Sequence, residues 1–316
     1  MAPSESGNIK RGAFNEGSRV LAAELADFVR KLKDFIDRHC NLSRMHRGHR
    51  ASEVFQWGIH VVKNREIEMP NWLAALPVFN EAGYVDEVLN QVTKFADNVL
   101  VVNDGSTDET AERLQNWSNV QVVHHERNRG YGAALKSAFQ YAIDHQYEFL
   151  ITLDCDGQHQ PQRLPRFLSA CENADIVSGS RYLKKYPGDS QPPAQRLTIN
   201  RQITRELNQR LGLELTDAFC GFKAYRVEAL KLFDIQDDGY AMPLEFWVQA
   251  AVHNLRVIEI PVPLIYLDLS RSFGGALDEA EKRLNYYNEC IERSVAAMKA
   301  KGFELPEREA AVKSCP

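Results

Sequence analysis

Between residues 72 and 178, short apolar runs alternate with stretches of helical periodicity, and this alternation restricts the possible folds more than any other feature of the 316-residue chain. The runs occupy 72–78, 98–102, 120–124, 148–153 and 174–178, and the helical stretches 85–95, 108–117, 132–145 and 161–171. Each run is apolar at consecutive positions, as strands covered on both faces are. Such alternation predicts an α/β fold with a mostly parallel sheet flanked by helices. Ligands of these sheets sit beyond the carboxyl ends of the strands, so the residues just after each run are the ones to read for chemistry.

The flanks are less regular. Residues 1–18 are polar and read as a tail, while Leu21, Leu25, Phe28, Leu32 and Phe35 recur at steps of three or four and predict an amphipathic helix over 20–36. A basic cluster over 44–50 reads as a solvated linker, with contact to an anionic surface as the sharper alternative. Residues 184–195 form a loop rich in Pro and Gly, 197–211 a helix, and 222–226 and 257–269 extended segments. Pro261 and Pro263 favour an edge position for the last of these. Ala280, Leu284, Tyr287, Ile291, Val295 and Met298 mark a final amphipathic helix, expected to pack on the domain.

Hydrophobic residues make up 44% of the chain and charged residues 26%, a globular balance. The net charge of -5 argues against nucleic-acid binding, which needs a basic surface. No uncharged apolar run approaches the roughly 20 residues of a spanning helix, and the first ten residues lack the apolar stretch of a signal peptide. The six cysteines are scattered, with no C-x-x-C pair, so a reducing cytoplasmic setting is expected, peripheral to a membrane at most.

The first run ends in Pro77-Val78-Phe79-Asn80-Glu81 and the second in Asn103-Asp104-Gly105-Ser106-Thr107-Asp108. Glu81 and Asp104 therefore stand at neighbouring strand ends, where a carboxylate can accept hydrogen bonds from a base or a ribose hydroxyl. The fourth run closes in Asp154-Cys155-Asp156-Gly157-Gln158-His159. Asp154, Asp156 and Gln158 alternate along an extended chain and offer three oxygen ligands on one side. Hard cations, Mg²⁺ or Mn²⁺, take such ligands and tolerate bound phosphate. Two carboxylates closing a buried strand are costly without a partner, which favours the metal reading. Residues 126–136 are rich in glycine at a helix start, where free N–H groups make an anion site, and Arg127, Arg129 and Lys136 add charge.

Together these segments resemble family 2 glycosyltransferases of the GT-A fold, in particular the polyprenyl-phosphate and dolichol-phosphate mannose synthases. The matching stretches are PVFNE, VVNDGSTDET, NRGYGAALKSAF, LDCDGQHQP, SGSRY and DAFCGFKAYR, spread over about two-thirds of the chain in the family's order. The resemblance implies a GT-A domain over 71–270, nucleotide-binding over 71–160 and acceptor-binding over 161–270. It would lie between an N-terminal extension (1–70) and a C-terminal helix and tail (271–316). Pro77, Phe79, Glu81, Asp104 and Asp154 would then hold the nucleotide, and Asp154, Asp156 and Gln158 the metal. Arg181 and Arg196 would face an acceptor phosphate, and Asp217 and Glu245 would be the catalytic acids. Asn103 stands where the family commonly has Asp, and 184–195 is an insert.

The implied reaction is an inverting transfer of a hexose from a nucleotide diphosphate sugar, of the GDP-mannose or UDP-glucose type, to a polyprenyl phosphate. A phosphate acceptor needs no general base, whereas a hydroxyl acceptor needs one, with Asp217 and Glu245 as candidates. A same-fold enzyme acting on a soluble hydroxyl and a non-catalytic sugar-binding module are the alternatives. A sugar-1-phosphate nucleotidyltransferase would show a G-x-G-x-R loop after the first strand, where this chain has PVFNE.

Overall fold

The computed structural model describes residues 70–267 and 275–306. The expected helix over 20–36 and the basic cluster over 44–50 lie outside them. From Trp72 onward the alternation is realised: β1 (Trp72–Val78), α1 (Val85–Val92), β2 (Val99–Asn103), α2 (Thr110–Leu114), β3 (Gln121–His124), α3 (Tyr131–Asp144) and β4 (Phe149–Thr152). Then come a 3-10 turn and α4 (Leu164–Ala170), β5 (Ile176–Ser180), α5 (Ala194–Leu211), β6 (Lys223–Arg226), α6 (Val227–Leu230), α7 (Met242–Val252), β7 (Val257–Pro261) and α8 (Ala280–Ala300).

The strands form one seven-stranded sheet in the order β3-β2-β1-β4-β6-β5-β7. Neighbours pair in parallel except β6, which runs antiparallel to both β4 and β5. This is the mixed α/β, mostly parallel architecture expected, with Pro261 closing the edge strand β7. The reversal of β6 positions the site. Lys223, its first residue, pairs with Thr152 at the end of β4 and with Ser178 of β5. The loop that leads into β6 therefore arrives at the carboxyl ends of β4 and β5.

Side chains alternate across the sheet, and so the core divides in two. Leu73, Ala75, Leu100, Val102 and Leu150 pack under α3, α5, α7 and α8. Ala74, Leu76, Val99, Val101 and Ile151 pack against α1 and α4 on the other face. One strand departs from the expectation of burial on both faces. β3 is an edge strand whose end residues, Gln121 and His124, are exposed and whose Val122 and Val123 are half-buried.

Helix α7 gave no periodic signal in the sequence. Every residue from Met242 to Ala251 is buried, the polar Glu245 and Gln249 included, so no exposed face sets a period. Helix α8 does carry a stripe. Its Tyr287, Ile291, Val295 and Met298 are buried, and it packs on α7 and α5.

Candidate active site

The loops after β1 and β2 are laced together. Asn80 adopts a left-handed backbone (φ 57), a conformation Asn tolerates better than most residues. Its side-chain oxygen accepts from the Thr107 amide at 2.8 Å, and its own amide donates to Ser106 Oγ at 2.9 Å. The Glu81 amide donates to Thr110 Oγ1 at 2.9 Å. Pro77 is buried beneath this seam, while Phe79 is exposed and Glu81 half-buried above it.

Asp104 is buried, and its carboxylate organises the glycine-rich loop. It accepts the Gly130 amide at 2.8 Å and the Arg129 amide at 3.0 Å, and His125 Nδ1 lies 2.5 Å from Oδ1. The Nε2 of the same ring meets Ser137 Oγ at 2.8 Å, tying the loop to α3. His125 gave no sequence signal; only the approach of the β3 end to the β2 end brings it to Asp104. Lys136 does not extend the cationic loop as expected. Its ammonium pairs with Asp238 at 2.5 Å and donates to the Ile235 carbonyl, because α3 packs on the loop before α7.

The start of α3 carries Tyr131, whose hydroxyl donates to Asp154 Oδ1 at 3.1 Å. Burial and the neighbouring Asp154 charge both push the Tyr131 phenol well above its usual range, so it stays a donor. Across the carboxylate lies Gly221, where a Cβ would fall within 2.7 Å of the Asp154 carboxyl carbon. Only glycine lets the β6-entry loop pass so close. The Asp154 amide lies 3.0 Å from His159 Nδ1. Asp156 accepts from the Gln158 amide at 3.0 Å and from Gln158 Nε2 at 2.8 Å.

These residues fit a hard divalent cation completed by phosphate. Among the described residues, Tyr131 is the one hydrogen-bond donor to the Asp154 carboxylate, which has about four lone-pair positions. Its side chain is 31% exposed, and so it remains accessible. Gln158 uses its amide nitrogen on Asp156, which leaves the amide oxygen as an acceptor. Among the described residues no three or more His, Cys, Asp or Glu are placed so that they alone could hold a metal ion. Mg²⁺ is commonly held in this sparse way, by one or two carboxylates with substrate phosphate supplying the rest.

The β6-entry loop also carries Asp217, which is fully buried. Its carboxylate accepts five hydrogen bonds. Arg181 gives three, from Nε at 2.6 Å, Nη2 at 2.9 Å and its amide at 3.2 Å; Asn200 gives one at 2.8 Å and the Phe219 amide one at 3.2 Å. Burial opposes ionisation, but the Arg181 guanidinium overrides it and holds Asp217 below the usual carboxylate range. Arg181 in turn stays fully cationic: burial works against its charge, and Asp217 more than compensates. Arg196 lies one turn before Asn200 on α5, hence on the face that meets Asp217.

A second layer holds this pair. Glu259 on β7 accepts from the Thr216 hydroxyl at 2.6 Å, the Thr216 amide at 2.8 Å and the Asp217 amide at 3.1 Å. Thr216 Oγ1 meets Ser180 Oγ at 2.6 Å, and Ser180 accepts the amides of Tyr182 and Leu183. Since the Thr216 proton goes to Glu259, Ser180 is the donor between the two hydroxyls. Burial raises the Glu259 carboxyl. Glu245 sits apart, on α7. Its Oε2 accepts the amides of Gln236 and Asp237 at 2.9 and 2.8 Å, and burial raises its carboxyl. It braces the loop at 231–241. Sequence reasoning gave no role to Tyr131, although it lies inside the NRGYGAALKSAF stretch, and missed Asn200, Thr216 and Glu259, which carry no motif of their own.

The described chain matches the profile of glycosyl transferase family 2 over residues 74–233. It is 32% identical over 221 residues to an undecaprenyl-phosphate mannosyltransferase of Micrococcus luteus, covering 66% of this chain and 90% of that one. A polyprenol monophosphomannose synthase of Mycolicibacterium smegmatis is 30% identical over 223 residues, covering 66% and 83%. Among solved structures, S. aureus TarS 1-349 in complex with UDP-GlcNAc aligns with 76% of this chain and 68% of that one, at 20% identity and a TM-score of 0.49.

Proposed function

The chain belongs to glycosyl transferase family 2 and is a glycosyltransferase, and from that premise we propose that it moves a hexose from a nucleotide diphosphate sugar to a polyprenyl phosphate, with inversion and with help from a divalent cation. The relatives named for polyprenyl-phosphate and polyprenol acceptors support the acceptor class.

One observation in the site favours a phosphate over a hydroxyl acceptor. A hydroxyl needs a base, and both carboxylates proposed for that role are engaged. Asp217 accepts five hydrogen bonds, and Glu245 holds two backbone amides. A phosphate oxygen is already a nucleophile and asks for orientation instead, which guanidinium groups provide in bidentate geometry. Asp217 then acts through Arg181 as a positioning residue, and Arg196 on α5 supplies a second cation. Leu183 (45% exposed) follows Arg181 closely and Leu267 (57% exposed) lies against Gly157, two exposed apolar side chains of the kind an isoprenoid chain would meet. No helix among the described residues is long and apolar enough to cross a membrane. We place the contact with lipid at the periphery.

In this mechanism a phosphate oxygen attacks the anomeric carbon, the bond from that carbon to the diphosphate breaks, and the nucleoside diphosphate leaves without a proton transfer. Asp154, Asp156 and Gln158 would hold the cation, which neutralises the diphosphate when bound. Pro77, Phe79, Glu81 and Asp104 frame the nucleotide side, Asp104 by holding the 125–130 loop in place.

The test is transfer of labelled sugar from GDP-mannose and from UDP-glucose to a short-chain polyprenyl phosphate, with Mn²⁺ or Mg²⁺. Transfer to the lipid that is lost in Asp156→Ala, and lost in Arg181→Lys with donor binding retained, supports the reading. Slow release of nucleotide with no labelled lipid, together with transfer to a soluble hydroxyl, sinks it.

A further inference from the structure

We propose that Tyr131 is a positioning residue for the Asp154 carboxylate, and that the loop at 231–241 holds its phenol in place. The inference rests on the cation-site reading above. Among the described residues the Asp154 carboxylate has no hydrogen-bond donor besides the Tyr131 hydroxyl, at 3.1 Å. Gly221 passes against it and limits its space, and His159 Nε2 makes a longer ion-pair contact, 3.8 Å from Oδ2. A carboxylate that binds a cation needs one orientation before the cation arrives, and a hydrogen bond from outside the coordination sphere sets that orientation.

Tyr131 is itself fixed from behind. Its ring stacks on Tyr240, with centroids 5.9 Å apart and planes 14° from parallel. The Ala133 amide donates to the Asp238 carbonyl at 3.0 Å, so the first turn of α3 is docked on the loop. Gly130, at φ 110, lies against that same carbonyl, where a Cβ would collide. The loop is anchored in turn by Glu245 of α7 on the Asp237 amide, and by Tyr286 of α8, whose hydroxyl donates to Asp237 at 2.9 Å. An unbroken series of contacts thus runs from α8 to the carboxylate of Asp154.

Tyr131→Phe removes the hydroxyl and keeps the ring stack, so it isolates the positioning role. The measurement is Mn²⁺ uptake by the full chain, read from the EPR signal of free Mn²⁺, with GDP and separately with UDP present. Nucleotide affinity in EDTA and the thermal midpoint are recorded beside it. The expected result is about a 10-fold weaker Mn²⁺ affinity in Tyr131→Phe, with metal-free nucleotide binding and the midpoint unchanged. A purely structural tyrosine would lower the midpoint and leave Mn²⁺ affinity alone. Tyr240→Leu, which spares the hydroxyl but loses the stack, should weaken Mn²⁺ by a smaller factor. Equal Mn²⁺ affinity in Tyr131→Phe and the wild type overturns the role of Tyr131 and leaves the cation site standing. Absence of Mn²⁺ uptake by the wild type with either nucleotide overturns the cation site, and this inference with it.

Discussion

Replacing Arg181 by Met should leave the buried Asp217 carboxylate uncompensated. In the wild type Asp217 is 0% exposed and takes two of its five hydrogen bonds from the Arg181 side chain. The variant keeps the donors from Asn200, the Phe219 amide and the residue-181 amide. Breaking a buried pair by removing one partner costs about 3–5 kcal/mol, and the surviving donors put this case near the lower end, about 3 kcal/mol. For a domain of this size that is a fall of about 6–12 °C in the melting temperature. The loss should depend on pH. Wild-type Asp217 is held below its unfolded pKa of about 3.9, so its contribution is complete above that value and disappears as pH falls through the folded pKa. Without the guanidinium, burial dominates and lifts the folded pKa above the unfolded one. The variant is then most destabilised at neutral pH and recovers as pH falls and the carboxyl protonates. Urea unfolding of both proteins at pH 7.5 and pH 4.5 measures the gap, and Arg181→Met/Asp217→Asn should recover part of it. A gap of the same size at both pH values, or one under about 1 kcal/mol at pH 7.5, would refute the reasoning.

Other substitutions probe the supports of the site. Gly130→Ala places a Cβ against the Asp238 carbonyl at φ 110 and should cost about 2–3 kcal/mol in chemical denaturation. Thr216→Val breaks the Ser180–Thr216–Glu259 chain and should lower stability by about 1–3 kcal/mol; an unchanged unfolding midpoint would show that the chain contributes nothing. Tyr286→Phe removes a donor to the buried Asp237 while Arg293 remains at 3.2 Å, so a loss of about 1 kcal/mol is expected in thermal melts.

Much of the fold was legible along the chain because it rests on local patterns. Strands β1, β2 and β4 are apolar at successive positions, and α1, α3 and α8 carry stripes at helical spacing. Helix α7 was invisible because complete burial erases its period, and the exposure of β3 was invisible because Val122 and Val123 occur in edge and central strands alike. At the site, Asp104, Asp154 and Asp156 stood out as carboxylates closing apolar runs. His125, Tyr131, Asn200 and Glu259 did not, since each matters only through a partner far along the chain.

The sequence by itself thus determined the alternating α/β plan and the acidic strand ends, for side-chain period and burial of charge are properties of a few consecutive residues. Tertiary structure alone decided that Asp217, which looks like a candidate base in the chain, is bound to Arg181, and that Gly221 lies against Asp154. The physical reason is the direction of β6. Four residues of a strand can pair either way, and only antiparallel insertion between β4 and β5 carries the preceding loop to the end of the sheet where Asp154 and Arg181 stand.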